Sequence, residues 1–145
     1  MPNILIIDDE PCVRELISRE LMHDGHQVEG FADAESVMRH LRSSRPDLVI
    51  LEPSMHGPGG WELLCHIREH NPDLPVLIVT ACNGFLDDPR VYMADGCFTK
   101  SFDFSKLKQK IAYLLRGKPS PQAESKSNRY SGKFSVPHLD WLDSA

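Results

Sequence analysis

Three continuous apolar runs constrain this chain more than any other feature: "ILII" at 4–7, "LVIL" at 48–51 and "VLIV" at 76–79. None alternates with polar residues, and all are rich in β-branched side chains. A strand with one wet face alternates, whereas a strand covered on both faces does not. The runs therefore predict interior strands of a sheet with helices on both sides. "HQVEGF" (26–31) is more polar and suits an edge strand, and "CFT" (97–99) is a short fifth candidate.

Between these runs the period lengthens to that of a helix. Val13, Leu16, Ile17 and Leu21 share one face, as do Ala34, Val37, Met38 and Leu41, with Asp33 placed to cap the second helix. Trp61, Leu64 and Ile67 form a third stripe, with Arg68 at its edge. The last helix carries Phe104, Leu107, Ile111, Leu114 and Leu115, between Asp103 as N-cap and Gly117 as stop. The fourth helical segment holds Gly84 and Pro89. Proline removes a donor and clashes with the preceding turn, so this segment should be short or begin near Pro89. Five strand–helix units in succession predict an α/β domain with a doubly wound parallel sheet. Right-handed crossovers and an edge-like second strand favour the strand order 2-1-3-4-5.

The units end near Arg116. Residues 117–133, rich in Gly, Pro and Ser, read as a linker. A short segment, 134–145, is apolar again at Phe134, Val136, Leu139, Trp141 and Leu142. It could dock on the domain, on a second copy or on a partner. The net charge of -5 disfavours direct DNA binding, which rests on Lys and Arg neutralising phosphates. No apolar run approaches the ~20 residues that span a bilayer. "MPNILIIDDE" has no basic start and turns acidic at once, so it is not a signal peptide. Cys12, Cys65, Cys82 and Cys97 are scattered and read as reduced thiols, consistent with a cytoplasmic protein. His66 and His70, four apart on the third helix, read as a solvated face, since no third ligand is apparent.

In a doubly wound sheet, ligands bind beyond the carboxyl ends of the strands. After the first strand come Asp8, Asp9 and Glu10; after the third, Glu52; after the fourth, Thr80; after the fifth, Lys100. Clustered carboxylates repel unless a cation joins them, and Mg²⁺ is commonly held by one or two carboxylates plus phosphate oxygens. A lysine and a hydroxyl opposite could hold the other oxygens of a phosphoryl group.

These residues carry a family resemblance. "ILIIDDEPCVREL" (4–16), "PDLVILEPSMHGPGGWELL" (46–64), "PVLIVTA" (75–81) and "ADGCFTKSFD" (94–103) together resemble a response-regulator receiver domain of two-component signalling, over about residues 1–116. The resemblance implies a flavodoxin-like (βα)5 fold with a C-terminal extension, and a histidine kinase or another signalling protein as partner. It implies Mg²⁺ held by Asp8 and Asp9 with the acid at position 52. It implies phosphoryl contacts by Thr80 and Lys100, and a switch made by Thr80 with the residue at 97. Homodimerisation is implied through the face of the fourth helical segment, fifth strand and fifth helix, or through the tail.

The sequence departs from that pattern in several places. The phosphoacceptor position holds Glu52 rather than aspartate, one methylene further from the strand. Cys97 stands where an aromatic usually swings, and Ser101 follows the lysine where proline usually does. A cis bond to a non-proline costs roughly 2.5–4 kcal/mol, so a trans bond and a shifted loop are expected at Ser101. The expectation is an atypical stand-alone receiver that is not an enzyme, acts through protein–protein contacts, and has lost phosphorylation or keeps it only as a vestige. The alternatives are a conventional phosphorelay receiver that tolerates glutamate, and a small Mg²⁺-dependent phosphatase.

Overall fold

The computed structural model describes residues 1–55, 59–81, 84, 87–100 and 103–116. The linker and tail segment (117–145), Cys82, His56 and Ser101 lie outside the described residues, and with them the expectations of a trans bond and a shifted loop at Ser101. The strands are β1 (Asn3–Ile7), β2 (Gln27–Phe31), β3 (Leu48–Leu51), β4 (Val76–Thr80) and β5 (Gly96–Thr99). The helices are α1 (Pro11–His23), α2 (Ala34–Leu41), α3 (Gly60–His70) and α4 (Ser105–Arg116). All strand pairs are parallel, in the order β2-β1-β3-β4-β5.

Each interior run splits its side chains between two cores, because successive residues of a strand point to opposite faces. Leu5, Ile7, Val49, Leu51, Val76 and Ile78 face α2 and α3, meeting Val37, Leu63, Leu64 and Ile67. Ile4, Ile6, Leu48, Ile50, Leu77 and Val79 face α1 and α4, meeting Ile17, Leu21, Leu107, Ile111 and Leu114. β2 lies at the edge with no residue fully buried, which its polar sequence requires. Asp33 caps α2 by accepting from the Ser36 amide at 2.8 Å, and Asp103 accepts from the Ser105 amide at 3.0 Å.

One helical expectation is corrected. Leu16 does not share the buried face of α1; it is 38% exposed. The fourth helical segment is short and begins at the proline, as its sequence predicts: the described residues form a 3₁₀ helix, Pro89–Met93. Proline suits a first position, where its missing N–H would be unsatisfied anyway. Asp88 caps it, accepting from the Arg90 amide at 2.9 Å. The face that the resemblance implies for homodimerisation is therefore built on a 3₁₀ turn, β5 and α4.

Helix α3 fastens this turn at both ends. Near its start, the Arg90 guanidinium lies 4.3 Å from the centre of the half-buried Trp61 ring. In its last turn, Arg68 donates from Nε to the Met93 carbonyl at 2.5 Å and to the Leu74 carbonyl at 2.7 Å, and pairs with Asp95 at 3.0 Å. Arg68, expected at the edge of an apolar stripe, is thus the centre of a buried polar cluster.

The loop after β3 meets α3 without room for a side chain. A Cβ on Gly60 would lie 2.3 Å from the Pro53 carbonyl oxygen and 2.6 Å from its Cα. Gly59, at φ 140°, supplies the positive-φ residue that turns the chain into the helix. Gly60→Ala should therefore cost about 1–3 kcal/mol in urea unfolding, the usual range for overpacking. A variant as stable as the parent would show that α3 can back away from Pro53 freely.

Candidate functional site

The parallel ladder runs one residue past three strands and fixes the backbone where the polar groups begin. Asp8 N–H donates to the Phe31 carbonyl at 3.0 Å, Glu52 N–H to Ile7 at 2.9 Å, and Lys100 N–H to Thr80 at 2.8 Å. The register aligns Ile7 with Leu51 and Thr80 with Thr99, so the next residues project from one sheet edge.

The side chains converge on Lys100. Its Nζ lies 2.9 Å from Asp8 Oδ2, 2.7 Å from Glu10 Oε1 and 2.9 Å from Glu52 Oε1. Asp8 and Glu52 are each only 3% exposed. Each is also held from its other oxygen. Asp8 Oδ1 accepts from the Glu10 amide at 2.9 Å. Glu52 Oε2 accepts from the Ser54 amide at 3.0 Å and the Ser54 hydroxyl at 2.8 Å. The buried Thr80 hydroxyl also hydrogen-bonds Glu52.

The two buried carboxylates respond differently to one ammonium. Burial raises Asp8, and its bonds to the Glu10 amide and Lys100 do not offset this, so it sits above its ordinary value. Burial also pushes Glu52 up, but the Ser54 amide, Lys100, the Ser54 hydroxyl and Thr80 together outweigh it, so Glu52 sits below its ordinary value. Glu52 has more donors, and that accounts for the difference. Lys100 is raised despite burial, because Glu10, Asp8 and Glu52 all favour its charged form.

Of the residues singled out from the sequence, Asp8, Glu52, Thr80 and Lys100 are brought together. Asp9 is partly exposed on the same turn. Cys97 is fully buried in β5 within the core on the α2/α3 side. Its thiol is pushed up to about 12, by burial first and the Glu52 charge second, so it is a neutral filler there. Sequence reasoning assigned no role to Glu10 or Ser54. Glu10 was visible as the third acid of a run, and Ser54 as a hydroxyl two residues past a carboxylate, where local side-chain turns form.

Among the described residues, no three His, Cys, Asp or Glu side chains are grouped as a metal site. The charge that balances Asp8 and Glu52 in this arrangement is the Lys100 ammonium. As arranged, the Asp8 oxygens are contacted by Lys100 and the Glu10 amide, and the Glu52 oxygens by Lys100 and Ser54. His66 and His70 stack at 4.2 Å between ring centres, and His70 Nδ1 bonds the His66 carbonyl.

The sequence profile described as "Response regulator receiver domain" matches residues 4–112. The response regulator MprA of Mycobacterium bovis is 34% identical over 133 residues, covering 88% of this chain and 57% of the relative. "Probable transcriptional regulatory protein TcrX" of Mycobacterium tuberculosis is 32% identical over 115 residues, covering 78% and 49%. The chain thus spans about half the length of the curated relatives it matches. Among solved structures, the response regulator TrrA of Thermotoga maritima in complex with Mg²⁺-BeF superposes with a TM-score of 0.75 at 35% identity, covering 79% of this chain and 99% of that one. A chain in the complex of the histidine kinase ThkA with TrrA gives 0.74 at 36% identity, with the same coverage.

Proposed function

This chain belongs to the response regulator receiver family of two-component signalling, and on that premise we propose that it is an atypical receiver whose phosphoacceptor position is held by Glu52. In this reading it is a signalling module rather than an enzyme. It acts by protein–protein contact, and phosphorylation is lost or vestigial.

One observation carries the reading: both Glu52 oxygens are already engaged, Oε1 by Lys100 and Oε2 by Ser54. An acceptor carboxylate must place an oxygen in line with the phosphodonor, and small misplacements are costly in such chemistry. Glu52 instead supplies a fixed negative charge, about half or more of the -1.5 to -2 that a phosphoryl group adds. The buried Cys97 offers no aromatic ring to swing with Thr80. The partner class is a histidine kinase or another signalling protein, by likeness to TrrA, which is found in complex with ThkA. The net charge of -5 speaks against direct DNA binding by this chain.

Incubation with acetyl phosphate and Mg²⁺, read by intact mass, tests this. The parent should acquire no stoichiometric adduct. Glu52→Asp should acquire one at least partly, as the shorter carboxylate attacks phosphorus and acetate leaves. A stoichiometric adduct on Glu52 would overturn the reading in favour of a conventional phosphorelay receiver.

A further inference from the structure

A lysine ammonium has three hydrogens to donate and no lone pair. In this pocket Lys100 meets three carboxylates, Asp8 at 2.9 Å, Glu10 at 2.7 Å and Glu52 at 2.9 Å. Its donors are matched one for one, and none is left for an incoming oxygen.

The three carboxylates are not equivalent. Asp8 and Glu52 sit at strand ends, buried, each tied on its second oxygen by a backbone amide. Glu10 belongs to no strand, and its side chain is 59% exposed. It occupies the N-cap position of α1, with extended backbone, yet its side chain makes no cap hydrogen bond. A helix N-terminus attracts carboxylates. This one reaches across to Lys100 instead, ninety positions away in the chain. Its own amide meanwhile holds Asp8 Oδ1, so the two contacts of Glu10 brace the pocket from the solvent side.

We infer that Glu10 sets what this pocket admits: it fills the Lys100 donor that a tetrahedral oxyanion would take, and an entering phosphate must displace it. The inference rests on the reading of this edge as the family's phosphoryl-binding pocket. It assigns Glu10 a gating role distinct from Asp8 and Glu52. An exposed ion pair of this kind is weak, so the gate is one that a ligand can open.

The test is a titration of the full chain with inorganic phosphate, read from the backbone amide NMR signals of Thr80 and Lys100. Glu10→Ala should bind phosphate about two- to fivefold more tightly than the parent, the range that one weak exposed pair allows. Glu15→Ala is the control. It removes the same charge from α1, and the Glu15 partner is Arg19 at 2.8 Å. Equal affinity in Glu10→Ala and Glu15→Ala would overturn the inference, because only a general change of charge would then be at work. A phosphoryl adduct formed as readily by Glu52→Asp as by Glu10→Ala/Glu52→Asp would also overturn it, while leaving the reading of Glu52 intact. Tighter phosphate binding by Glu10→Ala, with no adduct on Glu52→Asp, would uphold the gate and count against the reading of Glu52.

Discussion

Lys100→Met is expected to cost about 3–5 kcal/mol of stability at pH 7, and much less near pH 4. Methionine keeps most of the apolar stem, so the loss is that of the charge. Asp8 and Glu52 would then face each other at 3% exposure with no cation between them, and a buried charge stripped of its partner costs on this scale. The pH dependence follows from the signs. In the parent, Glu52 is held below its ordinary value of 4.5. Its contribution is full above that value and fades as the pH falls through the depressed folded value. Asp8, raised above 3.8, works the other way: its ionised form costs stability at neutral pH, and protonation in acid relieves that cost. Lys100, raised above 10.5, contributes fully below that value and loses its contribution as the pH climbs past the raised one. Without the ammonium both carboxyls shift upward and take up protons in mild acid. The gap between parent and variant should therefore narrow between pH 7 and pH 4. Urea unfolding at the two pH values measures it. A loss below about 1 kcal/mol at pH 7, or a gap that widens in acid, would mean that Lys100 does not hold the pocket together.

The sheet was legible because burial on both faces leaves a run of apolar residues no room for polar ones. The run 48–51 coincides with β3, and the runs at 4–7 and 76–79 fall one residue short of β1 and β4. The convergence of Asp8, Glu52, Thr80 and Lys100 was legible for the same reason, since parallel strands deliver their next residues to one edge. What the sequence hid depends on side-chain reach. Glu10 and Lys100 are joined only because a helix start and a strand end meet in space. Leu16 fits the helical stripe by spacing, yet lies far enough round α1 to stay exposed. Arg68 read as a polar residue at the margin of a helix face because nothing local announces Asp95, which approaches from the start of β5.

That pair makes Arg68→Ala the second large effect. The Arg68 and Asp95 side chains are 13% and 1% exposed. Asp95 Oδ2 accepts from the guanidinium at 3.0 Å and from the Val76 amide at 2.9 Å, while Asp95 N–H donates to the Val76 carbonyl at 2.7 Å. Truncation takes the guanidinium away from a buried carboxylate and from the Met93 and Leu74 carbonyls, at an expected cost of about 3–5 kcal/mol. Arg68→Lys should recover only part of this, since one ammonium cannot span partners that a planar fork reaches from three nitrogens. Arg68→Ala/Asp95→Ala should cost clearly less than the sum of the single changes, because the second removes the charge that the first deprived of its guanidinium. The damage should also be local. Arg68 ties the 3₁₀ turn to α3 from the amino end of the sheet, whereas Lys100 and Glu52 work at the carboxyl end. Hydrogen exchange should therefore quicken at the Val91 and Ala94 amides, which close the turn, and stay slow at Glu52 and Lys100. Faster exchange at both ends together would mean that the two polar clusters are one cooperative unit, and that this receiver has kept a path from its pocket to the 3₁₀ turn.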